Sequence, residues 1–253
     1  MIKSKKLKKL KDISHGFFNK EGGKSKGIYQ SLNCGPGSND KKKHIKQNLE
    51  IVKNKISKKS KKIFLLHQTH SNKFIFVNKY FRINEKRLKA DAVITDQKKL
   101  PIGILTADCA PILIYDNISK IAAAIHAGWK GAYKDIISKV IKFMLKKGCK
   151  PKNMHAVIGP CITKKNYNVR EDFLRKFLKK TKKNIIFFKT RKKTIYFDLP
   201  KYIKSQLKSN KISNIEHINI DTFEAKNKFF SARRSLRLNH ADYGRNISII
   251  MIN

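Results

Sequence analysis

The fold class that this sequence predicts is mixed α/β in a single domain, and three observations carry it. Short apolar runs such as Ala92–Thr95, Ile102–Leu105 and Ile121–Ile125 recur along the chain and read as buried strands. Among them lie segments with apolar residues at helical spacing, above all Ile136, Ile137, Val140, Ile141, Met144 and Leu145. The two kinds alternate irregularly, and neither repeat nor linker divides them. At 253 residues with 40% hydrophobic content, the chain can bury one substantial core.

In order, Ile13–Asn33 is rich in glycine and polar residues and predicts turns between short strands, or a loop whose Lys20, Ser31 and Asn33 face a pocket. Lys41–Lys55 predicts a basic amphipathic helix through Ile45, Leu49, Ile51 and Val52. Lys62–Leu66 predicts a strand that ends at His67-Gln68-Thr69-His70. On an extended chain Gln68 and His70 share a face and His67 points the other way, so the two histidines should not ligate one ion together. Strands follow at Phe74–Val77, Ala92–Thr95, Ile102–Leu105, Pro111–Tyr115 and Ile121–Ile125. The small Ala122–Ala124 predicts close packing against a neighbour. After the turn Gly128–Gly131, one helix is expected over Ala132–Lys147, stopped by Gly148. Beyond it the pattern predicts strands at Met154–Ile158, Ile185–Phe188, Thr194–Phe197, Ile215–Ile220 and Ile247–Met251. Helices are expected near Glu171–Leu178 and Lys201–Leu207.

The formal net charge is +42, from 59 basic against 17 acidic residues. Such a charge favours anionic partners, yet the lysines are spread along the chain beside abundant isoleucine and asparagine, as an AT-rich coding bias produces. No nucleic-acid-binding motif accompanies them, so a solvated lysine surface is the expectation and nucleic acid is not an expected partner. No apolar run is long enough to span a bilayer, and the basic N-terminus lacks the apolar core of an export signal. A cytoplasmic location is therefore expected. Cys34, Cys109, Cys149 and Cys161 show neither framework spacing nor a CxxC pair, which predicts free thiols.

The stretch Thr106–Gly131 carries the candidate chemistry. His70, Cys109 and His126 each stand where a strand gives way to a turn, and together they could supply the three protein ligands of a catalytic zinc site with one open position. Cys109 as nucleophile with His126 as base is the competing reading, and a metal on the same pair would exclude it. Asp108 could act as acid/base, or cap a turn. Arg233, Arg234 and Arg245 stand out in a lysine-dominated chain because the planar guanidinium suits phosphate or carboxylate; structural ion pairing is the alternative.

Eight ordered segments then carry a resemblance: HGFFNKEGGKSKGIYQSLN, HQTH, ADAVIT, TADCAPILIYD, AAAIHAGWKG, IGPCI, YFDLP and FFSARR. From about Ser14 to Ile250 the chain resembles the family described as laccase-domain or multicopper polyphenol oxidase proteins, whose members are also described as zinc-dependent purine nucleoside phosphorylases and peptidoglycan editing factors. The resemblance implies a single α/β/β/α-layered domain similar to the catalytic domain of cytotoxic necrotizing factor, a toxin with a Cys and His catalytic pair. It places the metal ligands on His70, Cys109 and His126. It further implies phosphorolysis of inosine, guanosine or adenosine, with adenosine deamination and methylthioadenosine phosphorolysis as further activities; a monomer or homodimer is the expected state, which the sequence does not choose between.

Under that reading Cys109, His126 and Asp108 are the catalytic candidates, and Asn33, Gln68, Lys130, Arg233 and Arg234 the substrate- and phosphate-binding ones. The sequence departs from the family where Lys20 and Lys130 stand in place of Arg, where Asp221 replaces Cys, where Ala232 replaces Tyr, and in Leu236–Tyr243. Copper is the less favoured metal, because a multicopper oxidase requires many histidines in H-x-H pairs; this chain has eight histidines and no such pair. A Cys–His hydrolase editing peptidoglycan precursors is the alternative function, and a basic binding protein a more distant one.

Overall fold

A computed structural model describes residues 1–82 and 87–253. It contains β1 (Ile13–Phe17), α1 (Lys42–Ile56), β2 (Phe64–Leu65), β3 (Phe74–Val77), β4 (Ala92–Thr95), β5 (Ile102–Thr106), β6 (Ala110–Asp116) and β7 (Ile121–Ala127) in its first half. Then come α2 (Trp129–Tyr133), α3 (Ile136–Lys146), β8 (Met154–Ile158), β9 (Asn168–Val169), α4 (Glu171–Lys180), β10 (Phe188–Arg191) and β11 (Thr194–Phe197). The chain ends with α5 (Leu199–Ser209), β12 (Asn214–His217), α6 (Ala232–Arg237) and β13 (Asn246–Ile252).

Two sheets form the centre. One has the order β1-β13-β5-β2 and the other β12-β8-β6-β7-β4-β3, while β10-β11-β9 make a third, small sheet. Alternation along the strands shows how they stack. Ile112 and Ile114 of β6 and Ala123 and Ile125 of β7 pack against α3 and α5 through Ile137, Val140, Ile141 and Ile203. The intervening Leu113, Tyr115, Ala122 and Ala124 face the four-stranded sheet, where Ile102, Ile104, Ile250 and Ile252 meet them. The other face of that sheet, with Leu105, Ile247 and Ile249, is covered by Val52 and Leu49 of α1. The result is a mixed α/β domain layered α1, sheet, sheet, α3/α5. Ala122–Ala124 is buried on both faces, where small side chains let the layers approach.

Several expectations are corrected. The expected turn Gly128–Gly131 is mostly the short helix α2, and the helix expected over Ala132–Lys147 is broken by Asp135, which adopts a left-handed conformation (φ 61°) between α2 and α3. Aspartate tolerates that region, and its carboxylate is held by Lys180 Nζ at 2.7 Å. The break leaves α2 to follow the turn at Gly128 while α3 lays its apolar stripe on the sheet. Ile185–Phe188 is mostly a 3-10 turn over Lys182–Phe187, capped by the Thr181 side chain; Ile185 and Ile186 are exposed, so the apolar run is no buried strand. Ile13–Asn33 contains one strand rather than a hairpin, and β1 pairs with β13 from the far end of the chain. The expected strand Ile215–Ile220 spans only Asn214–His217. The FFSARR segment runs into α6, a short helix that its local pattern does not announce.

Candidate metal centre

β6 and β7 are antiparallel neighbours, with Pro111 opposite His126. The start of one and the end of the other therefore lie at the same edge of the sheet. Cys109 just before β6 and His126 near the end of β7 share the parity of the residues that face the four-stranded sheet, so both emerge at the mouth between the two sheets. The turn after β2 brings His70 to the same point. Ligand atoms of His70, Cys109 and His126 all lie within 4.8 Å of one another, the one such cluster of metal-capable side chains among the described residues. Cys109 Sγ is 3.8 Å from His70 Nε2, and the two imidazoles meet edge to face, 4.8 Å between centroids.

One buried carboxylate builds this arrangement. Asp91, at the entrance to β4, is fully buried. It accepts hydrogen bonds from the backbone N–H groups of His70 (2.9 Å) and Ser71 (2.6 Å) and from the Ser71 hydroxyl (2.7 Å). The same carboxylate lies 2.8 Å from His126 Nδ1, which leaves Nε2 of that ring for another partner. His70 is folded over it in the left-handed region (φ 56°), a conformation uncommon outside glycine and often kept at functional sites. Burial pushes the Asp91 carboxyl up, but the His126 ring and the Ser71 donors outweigh it and hold the group well below the usual carboxylate range. Gly128 completes the floor: a methyl group there would stand 2.6 Å from Cys109 Sγ and 3.2 Å from His70, so only glycine admits both side chains.

Burial alone raises the Cys109 thiol, but the imidazoles of His126 and His70 outweigh it and bring the pKa down to about 6. Burial alone lowers His126, and there the thiolate and Asp91 prevail and raise it. Two imidazole nitrogens and a thiolate, oriented from behind by a carboxylate and open toward a cleft, fit a three-ligand metal site with a free position. The cleft has a volume of about 240 Å³, and His67, Gln68, Arg87, Thr106, Tyr243 and Arg245 line it around the trio.

A family model described as multi-copper polyphenol oxidoreductase laccase matches residues 14–253. The chain belongs to this family. Within it, the chain is 34% identical over 221 residues to a Rickettsia conorii protein named purine nucleoside phosphorylase, covering 83% of this chain and 90% of that protein. A Rickettsia prowazekii protein of the same name is 33% identical over 77% of this chain and 79% of its own. The crystal structure of a Bacillus licheniformis hypothetical protein, YfiH, superposes with a TM-score of 0.86 at 28% identity, covering 95% of this chain and 93% of that one.

In this laccase-family chain the other expected site residues are dispersed. Gln68 lines the cleft, but its amide is tied to the backbone of Leu105, donating to the carbonyl and accepting from the N–H, both at 2.7 Å. Asn33 is fully buried outside the cleft; its side chain accepts from the backbone N–H of Arg245 (2.9 Å) and Gly35 (3.0 Å) and donates to Asp40. Lys130 lies on α2, over the Trp129 ring and away from the cleft lining. Arg234 donates to the carbonyls of Thr222 (2.8 Å), Phe223 (2.7 Å) and Phe229, so both terminal nitrogens of its fork are engaged by backbone. Arg233 donates to Asn168 O and Oδ1 and lies over Tyr167. Asp108 accepts from Thr222 Oγ1 (2.7 Å), Ser231 Oγ (2.9 Å) and Arg233 N (2.7 Å), which pins the C-terminal segment beneath Cys109. Burial raises its carboxyl all the same. Neither the turn cap nor an open acid/base is what its geometry describes.

Three cleft or supporting residues carry no clear mark in the sequence. Asp91 lies inside ADAVIT, where a lone acid before a fully apolar strand is the available signal. Arg87 is one more basic residue among 59. Strand parity turns His67 away from His70, yet it lines the cleft without joining the ligand cluster.

Proposed function

We propose that the protein is a zinc-dependent purine nucleoside phosphorylase, converting inosine, guanosine or adenosine and phosphate to the free base and ribose 1-phosphate. The observation that supports it most is a two-imidazole, one-thiolate set on the floor of a cleft whose walls carry Arg87 and Arg245. The names of the similar Rickettsia proteins point the same way. His70, Cys109 and His126 would hold the metal, and the donor set suits zinc. Zinc bound there supplies Lewis acidity close to the reacting atoms.

The chain's own residues do the rest. Phosphorolysis breaks the bond between ribose C1′ and the purine nitrogen and forms one from C1′ to a phosphate oxygen; the departing nitrogen keeps the electron pair. An oriented dianion is therefore needed beside the ribose. Arg245 suits that role, because its guanidinium is held by the Tyr243 carbonyl at 2.8 Å and stacks 4.7 Å from the Tyr243 ring, with Asp242 at 3.5 Å. Arg87 lines the same space and completes a pair of cationic walls. Asn33 acts behind the cleft surface by holding the Arg245 backbone, and Gln68, in the lining itself, fixes the wall at Leu105. Phosphate binding thus moves from Lys130, Arg233 and Arg234 to Arg245 and Arg87. Adenosine deamination and methylthioadenosine phosphorolysis are further activities of the same cleft.

The direct test incubates zinc-loaded protein with inosine, with and without phosphate. Phosphate-dependent release of hypoxanthine and ribose 1-phosphate is expected; no release overturns the proposal. A second reading has one observation in its favour, the line Asp91–His126–Cys109 with its lowered thiol pKa, which also describes an activated nucleophile. In that case the protein is a Cys–His hydrolase acting on peptidoglycan precursors, and it keeps full activity after exhaustive chelation.

A further inference from the structure

Away from the metal centre, a groove of about 520 Å³ runs along α1. One wall is a single face of that helix, Lys42, Ile45, Lys46, Leu49 and Lys53, at intervals of three or four residues. From Lys42 to Lys53 the helix rises about 16 Å. Ile63, Lys61 and Lys62 form the facing wall. The floor is therefore aliphatic, from Ile45, Leu49 and Ile63, and both rims are lined with lysine. Glu50 is the lone acid of the lining, and its carboxylate is paired with Lys53 at 2.6 Å.

We propose that this groove is a docking site for an amphipathic helix of a partner protein, apolar on the face that enters and flanked by acidic residues. Its length matches about three helical turns, and a helix laid in a groove makes contact through a stripe of apolar residues. Lysine on both rims selects acidic flanks. A second copy of this chain is poorly suited, because it brings 59 basic against 17 acidic residues to the contact. Single-stranded nucleic acid is also poorly matched, since the lining holds no aromatic ring on which a base could stack. The groove adjoins the catalytic cleft: Pro36 lines one and Gly37 the other. Between them and β13, Gly35 packs so tightly on the Arg245 side chain that a methyl group there would overlap it. An occupant would therefore press on the loop that supports Arg245.

The test is fluorescence anisotropy of the intact protein with a labelled peptide of about 18 residues, glutamate-flanked and carrying leucine at i, i+3, i+4 and i+7, at about 0.15 M salt. A scrambled peptide of the same composition, lacking the stripe, should bind about 10-fold more weakly or worse. The variant K46E/K61E should lose about 10-fold in affinity for the striped peptide. The charge-matched K142E/K146E, on exposed positions of α3, should stay within about 2-fold. All four lysines are exposed, and thermal melting confirms that the variants fold. Equal binding of the scrambled peptide, or equal loss in both double variants, would mean unspecific attraction to a basic surface and would overturn the proposal.

Discussion

The two sides of Cys109 are built from the same kinds of residue and do opposite things. On one side His70, His126, Arg87 and Arg245 converge on an open cleft. On the other, Asp108, Arg233 and Arg234 are woven into backbone and hydroxyl partners, three for the Asp108 carboxylate and three carbonyls for the Arg234 fork. A charged group held on several sides from within and away from the cleft holds the chain; one that lines the cavity is available to a ligand. The difference sorts residues that look equivalent as letters. It also explains the pairing of a rigid, closed underside with an open face: Cys109 stays in place because Asp108 ties the segment before α6 beneath it.

Breaking the open side should have the largest effect on activity and a small one on folding. His70→Ala, Cys109→Ala and His126→Ala are each expected to lower kcat/KM for inosine phosphorolysis by about 10³-fold or more; melting of the metal-free His70→Ala and Cys109→Ala proteins should be nearly unchanged, whereas His126→Ala also strands the buried Asp91 carboxylate and should melt lower, as steady-state kinetics beside calorimetry would show. The closed side should behave in the opposite way. Arg234→Ala strips three carbonyls of their donor and is expected to cost about 3 kcal/mol in denaturant unfolding. Arg245→Ala should instead raise KM for phosphate by about 10-fold while unfolding shifts by less than about 1 kcal/mol. If Arg234 and Arg245 exchange these phenotypes, the division between the two sides is wrong.

Another closed group, on β1 and apart from the metal centre, gives a pH signature. His15 is 3% exposed, with the Ser4 N–H donating to its ring at 2.9 Å. Burial first and Lys3 second hold its pKa down to about 4, against the opposing pull of Glu216. A histidine depressed in the folded state contributes its full stability above the unfolded value of about 6.5 and loses it as pH falls toward 4, since the unfolded chain takes up the proton first. Up to about 3 kcal/mol is at stake, and His15→Gln should flatten the fall in melting temperature across that window.

The last effect in this set is the most specific. Asp91→Asn keeps an acceptor for the His70–Ser71 turn but removes the charge behind His126, and zinc affinity measured by chelator competition should fall about 10- to 100-fold with the fold intact. An unchanged affinity would reduce Asp91 to a turn-former.

Much of this molecule can be read from its letters. β4, β6, β7 and β8 are legible because strands buried on both faces read as nearly continuous apolar runs, and α3 because Ile136, Ile137, Val140, Ile141 and Met144 share one buried stripe, while Leu145, expected with them, is exposed. The layering is implied by the resemblance alone, since no periodicity says which sheet face meets which. His70, Cys109 and His126 stand out by their positions at strand ends, though spacing alone does not bring His70 to the other two. What stays hidden shares one cause: it depends on partners far along the chain. Asp91 gains its role from residues 20 and 35 positions away. Arg234 differs from Arg245 only in what surrounds it, and Asp135 splits a helix whose local propensity runs straight through.

The central claim is that His70, Cys109 and His126 form a single zinc site. Its most direct test is elemental analysis of the native protein and of His70→Ala, expressed as metal per chain. One zinc in the native protein, lost in the folded variant, is the expected result; several copper ions per chain, or undiminished zinc without His70, would contradict it.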